Sequence, residues 1–339
     1  MSRRAAALLA ALLACAAPAR AAEQVWVSNE RDGTVSVIDA ETDRVVATVA
    51  TGGRPRGIQA ARDGSRVYVA VSRPKTSTDP AFPEGVAVIE AAARRVSGLA
   101  AVGTDPEQFA IGESPPALYT SNEDAGTASV TELPTGRVVA TLVVGIEPEG
   151  VAISPDGRWV YVTAETSNTI SVIDTREPAV VANFLVEARP RHATFTPDGR
   201  FAFVTAEVGR AVSVVDVAKH AVIGTFRFER PEQRPVGAVV SPDGARLYVA
   251  TGRAHSVAVF DVAEPAKPKL VAEVPVGTRP WGVGLTGDGR KLYVANGVSN
   301  DVSVLDTRAQ RVIATIPAGD GPWGVAIAPA SPSRKAEAR

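Results

Sequence analysis

Short apolar runs of about five residues, each bounded by turn residues, recur along nearly the whole chain. In one stretch they begin at Gly150, Trp159, Thr169 and Val180 and are rich in β-branched and aromatic residues, which is typical of β-strands. The Ser-Pro-Asp-Gly sequence at 154–157 favours a tight turn between the first two runs. Helical periodicity never persists for 11 residues beyond the first 21. The pattern therefore predicts an all-β protein.

The unit of four runs occurs seven times. Equivalent second runs begin at Trp26, Tyr68, Tyr119, Tyr161, Phe203, Tyr248 and Tyr293. A second landmark gives the same count, with prolines at Pro55, Pro106, Pro148, Pro190, Pro235, Pro280 and Pro322. A fixed period of this length is typical of a solenoid or propeller. We therefore predict a seven-bladed β-propeller of four-stranded antiparallel blades over residues 22–330, with strands buried on both faces.

The two ends of the repeat region complement each other. The first unit begins at Trp26 with the second run of every other unit, and the chain finishes with a first run at 323–327 that has no followers. The C-terminal strand is therefore predicted to pair with the N-terminal blade and remove an exposed sheet edge. The polar residues 331–339 are predicted to be a disordered tail.

Residues 1–21 have the pattern of a secretory signal peptide. A basic start at Arg3 and Arg4 is followed by a short apolar run and an Ala-x-Ala site ending at Ala21. Leu12-Leu13-Ala14-Cys15 is close to a lipobox, so lipidation of Cys15 is an alternative to cleavage at Ala21. We predict a periplasmic protein, or a lipoprotein in the alternative. No later segment is long and apolar enough to predict a membrane span.

Charge and cysteine content narrow the function classes. The chain has 36 basic and 37 acidic residues, and its single cysteine, Cys15, lies within the predicted signal peptide. Cleavage would leave a slightly acidic protein without a disulfide. This charge balance gives no electrostatic basis for binding nucleic acid.

The repeat itself resembles a known family. Its Tyr-Val-Thr/Ala-Asn/Glu run, the following Thr-Val-Ser-Val-Ile-Asp run and the Arg-Pro-x-Gly-Val segment resemble the YVTN family of propeller repeats. In length and in the sequence of its repeats the chain is most similar to the PQQ-dependent catabolism-associated β-propeller proteins. The resemblance implies an association with quinoprotein alcohol oxidation, with PQQ as a bound or partner-held ligand and a periplasmic quinoprotein dehydrogenase as a partner. It specifies no biochemical activity, since propellers carry many unrelated ones.

The residues beside the repeat prolines vary in an ordered way. In an antiparallel meander they lie at one end of the blades, opposite the turns of the Ser-Pro-Asp-Gly type, which vary little between repeats. Acidic residues flank the proline in two neighbouring repeats. Paired arginines flank it in the repeats on either side of these two, and a tryptophan follows it in the last two repeats. We refer to these proline-containing segments between blades as links. The candidate ligand-binding residues are Arg54, Arg56, Glu147, Glu149, Arg189, Arg191, His192, Arg279, Trp281 and Trp323.

Two interpretations of this face remain open. The first is a polarised funnel mouth that binds a carboxylate ligand through arginines and aromatic rings. The second is a ring of surface salt bridges, Arg56 with Glu107 and Glu149 with Arg191, each contributing roughly 0–1 kcal/mol. The insertion at residues 72–84 is expected on the same face, where it is either functional or disordered.

Catalytic motifs are sparse. The histidines His192, His220 and His255 stand in separate repeats at no metal-ligand spacing, so we predict no metal site, no catalytic set and no intrinsic cofactor. The favoured function is non-enzymatic binding of a small anionic ligand or a partner protein. One alternative is a lactonase-like hydrolase that uses His192 with Glu147 or Glu149, although a loop histidine is commonly just solvated. Another is the heavy subunit of a quinoprotein amine-dehydrogenase-type complex.

Overall fold

The computed structural model describes residues 23–79 and 81–329. Within them, seven four-stranded antiparallel sheets form a closed ring around a central channel. This confirms the predicted all-β, seven-bladed propeller. The predicted signal peptide, Cys15 and the C-terminal tail lie outside the described residues.

The blades follow one another along the chain, and the innermost strand of each lies beside the channel. The strands of blades 1 to 4 are β1 (Gln24–Asn29), β2 (Thr34–Asp39), β3 (Arg44–Ala50); β4 (Arg54–Ala60), β5 (Arg66–Ser72), β6 (Gly85–Glu90), β7 (Arg95–Ala100); β8 (Pro106–Glu113), β9 (Pro116–Asn122), β10 (Thr127–Glu132), β11 (Arg137–Val143); β12 (Pro148–Ile153), β13 (Trp159–Ala164), β14 (Thr169–Asp174), β15 (Ala179–Leu185).

Blades 5 to 7 have the same plan, and the last strand returns to blade 1. Their strands are β16 (Pro190–Phe195), β17 (Phe201–Ala206), β18 (Ala211–Asp216), β19 (Ala221–Arg227); β20 (Ala238–Val240), β21 (Arg246–Ala250), β22 (Ser256–Asp261), β23 (Lys269–Pro275); β24 (Pro280–Leu285), β25 (Lys291–Asn296), β26 (Asp301–Asp306), β27 (Arg311–Pro317); and β28 (Pro322–Ala328). A 3-10 turn, η1, covers Gly252–Ala254.

The ring closes as the sequence predicts. Strand β28 forms the innermost strand of blade 1 and pairs antiparallel with β1, with Ile327 opposite Val25 and Ala326 opposite Trp26. Trp26 is fully buried within the cluster between blades 1 and 2. The two chain ends are thus joined in one sheet.

Burial differs between the inner and outer strands of a blade. The second and third strands are almost continuously buried, as in β13 and β14, because neighbouring blades cover both of their faces. The outermost strands alternate between half-buried and exposed positions, as in β11 and β15. The prediction of burial on both faces is therefore wrong for the outer strands, whose edges and one set of side chains face solvent.

The long insertion connects β5 to β6, on the face predicted for it. The backbone N–H of Arg73 donates to Glu84 Oε1 at 2.8 Å, and Lys75 lines the channel mouth. Among the described residues, no helix is long and apolar enough to cross a membrane.

Candidate functional site

The residue after each repeat proline lines the central channel. These seven residues are Arg56, Glu107, Glu149, Arg191, Val236, Trp281 and Trp323. The repeat pattern predicts the charged ones and the tryptophans in links between blades. That placement is wrong, because they belong to the inner strands themselves. This explains why most of them are buried.

Arg56 is bound by carboxylates on three sides. Its Nη2 donates to Asp105 Oδ1 at 2.5 Å, its Nη1 contacts Glu107, and Glu123 Oε2 lies 3.6 Å from Nη1. Arg54 lies beside this group, and its Nη2 is 2.8 Å from Oε1 of Glu30, which directly follows the second strand of blade 1. We call the following set the Arg56 cluster: Glu30, Arg54, Arg56, Asp105, Glu107 and Glu123. The three carboxylates around Arg56 lie close enough for one metal ion, but the guanidinium already neutralises much of their charge.

Arg191 has an equivalent environment. Its guanidinium contacts Glu149 and Glu165, and its Nη2 lies 2.7 Å from Glu207 Oε2. Arg279 Nη2 donates to the other oxygen of Glu207 at 2.9 Å, and Arg189 Nε donates to Glu165 at 2.6 Å. We call the following set the Arg191 cluster: Glu149, Glu165, Arg189, Arg191, Glu207 and Arg279.

The predicted pairs therefore exist, but they are not surface salt bridges. Arg56, Glu107, Glu149 and Arg191 are all under 9% exposed. The estimate of 0–1 kcal/mol per pair does not apply, since removing one partner of a buried pair leaves an uncompensated charge and typically costs about 3–5 kcal/mol.

A second ring of carboxylates lies outside the residues that the proline-flanking pattern predicts for the site. Glu30, Glu123, Glu165 and Glu207 each directly follow the second strand of a blade, and all four contact channel arginines. The signal was in the repeat alignment, where an acidic residue recurs at this position. The same argument that located the proline-flanking residues places this position at the same end of the blades.

Two of these carboxyl groups have a pKa well above the usual range of a glutamate. Burial raises the pKa of Glu165 to about 9, helped by a hydrogen bond and repulsion from Glu149. Burial also raises the pKa of Glu123 to about 7, against the opposing effect of Arg56. Glu165 is therefore protonated at neutral pH, and Glu123 is close to half-protonated.

Aromatic rings complete the channel wall. Trp281 and Trp323 are nearly parallel, with ring centroids 6.1 Å apart and an angle of 19° between their planes. The guanidinium carbons of Arg279 and Arg191 lie 4.5 and 5.3 Å from the Trp281 centroid, within range of cation–π attraction.

Among the described residues, two adjacent cavities lie in the channel. The outer one, of about 340 Å³, is the mouth; it contacts the Arg56 cluster, Lys75, Asp124 and part of the Arg191 cluster. The inner one, of about 170 Å³, is called the chamber below. Glu149, Arg191, Trp281 and Trp323 line both cavities, so these four side chains form the boundary between them.

His192 lies in the chamber rather than in a solvated loop. It is the third residue of strand β16 and is only partly exposed. Burial lowers its pKa to about 4, so the imidazole is neutral at pH 7. Glu149 lines the same chamber. Glu147 does not, because it lies in an outer groove with Arg189, and its carboxylate accepts a hydrogen bond from Thr166.

Fold and site together define a seven-bladed β-propeller with buried ion-pair clusters and two cavities in its channel. The model of the choice-of-anchor I domain matches residues 13–182, half of the chain. The chain therefore belongs to the choice-of-anchor I domain family. A second model, the lactonase with a 7-bladed β-propeller, matches residues 175–312. No curated protein matches the sequence.

Solved structures share the fold. Kuenenia stuttgartiensis hydrazine synthase has a chain 24% identical, with a TM-score of 0.74, covering 84% of this chain and 92% of that one. A proposed 6-phosphogluconolactonase of Bacteroides fragilis is 20% identical, with a TM-score of 0.75 and coverage of 92% and 99%. A functionally unknown protein of Desulfotomaculum acetoxidans is 18% identical, with a TM-score of 0.76 and coverage of 90% and 98%. At these identities the similarity concerns the fold.

Proposed function

We propose that this protein is an exported, non-enzymatic propeller that binds a small anionic ligand in the mouth of its channel. The observation that carries the proposal is the charge of the Arg191 cluster beside a tryptophan wall. Three arginines there face two ionised carboxylates and the protonated Glu165, which leaves one positive charge in excess at neutral pH. A single carboxylate would neutralise it.

The opposite side of the mouth has the opposite character. Two arginines of the Arg56 cluster face four carboxylates, so this side retains negative charge even with Glu123 partly protonated. An anion should therefore bind on the Arg191 side, with its planar part against Trp281 or Trp323. PQQ, a planar quinone that carries carboxylates, fits this chemistry and agrees with the repeat resemblance. Its association with a quinoprotein dehydrogenase remains part of the proposal.

The test is a titration of intrinsic tryptophan fluorescence with PQQ and a panel of small carboxylates. We expect saturable quenching that weakens in 0.5 M salt, because the attraction is screened. Arg189 lines the neighbouring groove rather than the mouth itself, but it belongs to the Arg191 cluster, so Arg189→Gln removes one positive charge there and should weaken binding by about threefold. It should change the melting temperature little because the side chain is 47% exposed. Arg176→Gln is the matched control, since that arginine is exposed beyond β14 at the opposite end of the blades.

Two outcomes would contradict this proposal. One is the absence of binding for every anion in the panel. The other is equal weakening by Arg189→Gln and Arg176→Gln, which would point to general electrostatics rather than to the mouth.

A second candidate function is hydrolysis of a lactone. Two observations favour it: the lactonase model matches residues 175–312, which contain His192, and His192 shares the chamber with Glu149 and Arg191. A neutral imidazole can accept a proton from an attacking water. A pKa near 4 makes it a weak base at pH 7, however, because general bases work best near the operating pH. Release of acid from small lactones, lost in His192→Gln, would establish this function over the binding role.

A further inference from the structure

The chamber differs from the mouth in the residues that form it. Beneath the ring of charged and aromatic residues, the next position of each inner strand is usually glycine. This layer consists of Gly57, Gln108, Gly150, His192, Gly237, Gly282 and Gly324. Blades 3 and 5 thus place the only two side chains of this layer, Gln108 and His192, in the channel.

The glycines of this layer have a packing reason. A Cβ atom at Gly237 would lie 2.3 Å from the carbonyl oxygen of Trp281, and one at Gly150 would lie 2.4 Å from that of Arg191. Adjacent inner strands therefore approach one another too closely for an ordinary side chain. Gln108 and His192 depart from the requirement that the other five blades obey, and both line the chamber.

Both side chains are partly exposed and line the chamber. Among the described residues, neither the Gln108 amide nor the His192 imidazole has a hydrogen bond to another side chain. The imidazole hydrogen-bonds the backbone of Ala238 and is attracted by the carboxylate of Glu149. Each side chain therefore keeps hydrogen-bonding capacity for a molecule in the chamber. Gln59, by contrast, donates to the carbonyl oxygen of Phe109 at 2.5 Å.

The remaining chamber wall is largely apolar. Ile58, Val236, Val283 and Val325 line it together with the two tryptophans. Its volume of about 170 Å³ is close to that of engineered cavities that bind benzene. The charged groups at its boundary, Glu149 and Arg191, are already bound to each other, so an ion entering the chamber would lose its hydration without a free counter-charge.

We propose that the chamber is a binding site for a small uncharged molecule, of about six to ten heavy atoms, that bears a hydroxyl or carbonyl group. Gln108 and His192 hydrogen-bond the polar group, and the valines and tryptophans contact the apolar part. This site is separate from the anion site proposed in the mouth and does not depend on it.

The experiment is calorimetry of the purified protein with three probes of similar size: benzyl alcohol, toluene and benzoate. Benzyl alcohol should bind saturably, and toluene about fivefold more weakly because it cannot use the two polar side chains. Gln108→Gly and His192→Gly introduce the glycine that stands at the equivalent position of the other five blades, so both variants should fold. Each should reduce the preference for benzyl alcohol over toluene, and the double variant should abolish it.

The controls separate this site from the mouth. Lys75→Ala, which changes the mouth only, should leave the benzyl alcohol affinity unchanged. Benzoate binding, where it occurs, should respond to Arg189→Gln and not to the glycine variants. Failure of benzoate to bind would therefore count against the anion site alone.

Three results would overturn the proposal. They are no saturable binding of benzyl alcohol, equal affinities for benzyl alcohol and toluene in the unmodified protein, or a preference that persists in the double glycine variant. The second result is decided without any variant, so it stands even where a variant does not fold.

Discussion

At the scale of single residues, the channel holds each of its two central arginines against three carboxylates. One guanidinium cannot neutralise three ionised carboxylates. In the Arg191 cluster one carboxyl group therefore stays protonated at neutral pH. Glu165 contacts Arg191 and shares a hydrogen bond with Glu149. Glu165 also accepts hydrogen bonds from Arg189 and Arg191, so it acts as a neutral group that both donates and accepts. A glutamine has one acceptor oxygen and an N–H donor and carries no charge.

Glu165→Gln tests this assignment through pH dependence. A carboxyl whose pKa rises to about 9 on folding stabilises the protein fully below its ordinary value of about 4.5, and this contribution is lost as pH rises toward 9. Glutamine does not titrate. We expect Glu165→Gln to gain stability relative to the unmodified protein as pH rises from 5 to 8, by about 4 kcal/mol in total, measured by urea unfolding at several pH values.

Glu149→Gln is the matched control. Arg191 holds the pKa of Glu149 below its usual value against the effect of burial, so this carboxylate is needed in its ionised form. Its replacement should destabilise the protein by about 3 kcal/mol at neutral pH. Parallel curves of stability against pH for Glu165→Gln and the unmodified protein would contradict the assigned protonation state.

At the scale of secondary-structure elements, the inner strands pack backbone against backbone around the channel. Gly150→Ala introduces a methyl group 2.4 Å from the carbonyl oxygen of Arg191 in the neighbouring blade. Backbone cannot move aside as a flexible side chain can, so we expect a loss of about 2–3 kcal/mol in the free energy of unfolding. Gly98→Ala, in the exposed outer strand β7 with no neighbouring atom within 4 Å, should change it by less than about 0.5 kcal/mol. Similar effects of both changes would refute close inner-strand packing as the cause.

Strand positions were predictable from the sequence, while side-chain burial was less so. The repeat of apolar runs and turns gave the blade order because each blade obeys the same local chemistry. Which face of a strand is covered depends on the neighbouring blade, and so the half-exposed side chains of β15 were not anticipated.

The same limit applies to the site. The pairings of Arg56 with Glu107 and of Glu149 with Arg191 followed from their places in adjacent repeats, and both exist. Their burial did not follow, because it depends on how tightly seven strands converge on the channel. The position of His192 in the chamber depends on the same convergence.

At the scale of the whole molecule, ring closure depends on one strand from the C-terminal end. Strand β28 is the inner strand of blade 1, and its Trp323 belongs to the boundary between mouth and chamber.

Truncation after Gly319 removes this strand, exposes the edge of β1 and uncovers Trp26. The lost packing is comparable with the net stability of a domain, about 5–15 kcal/mol, so we expect no cooperative thermal unfolding and strong aggregation. Truncation after Pro329 is the control and should melt as the full chain does. A synthetic peptide of residues 319–329 should restore cooperative unfolding to the shorter chain, whereas cooperative melting of that chain at the full-length temperature would show that closure by β28 is dispensable.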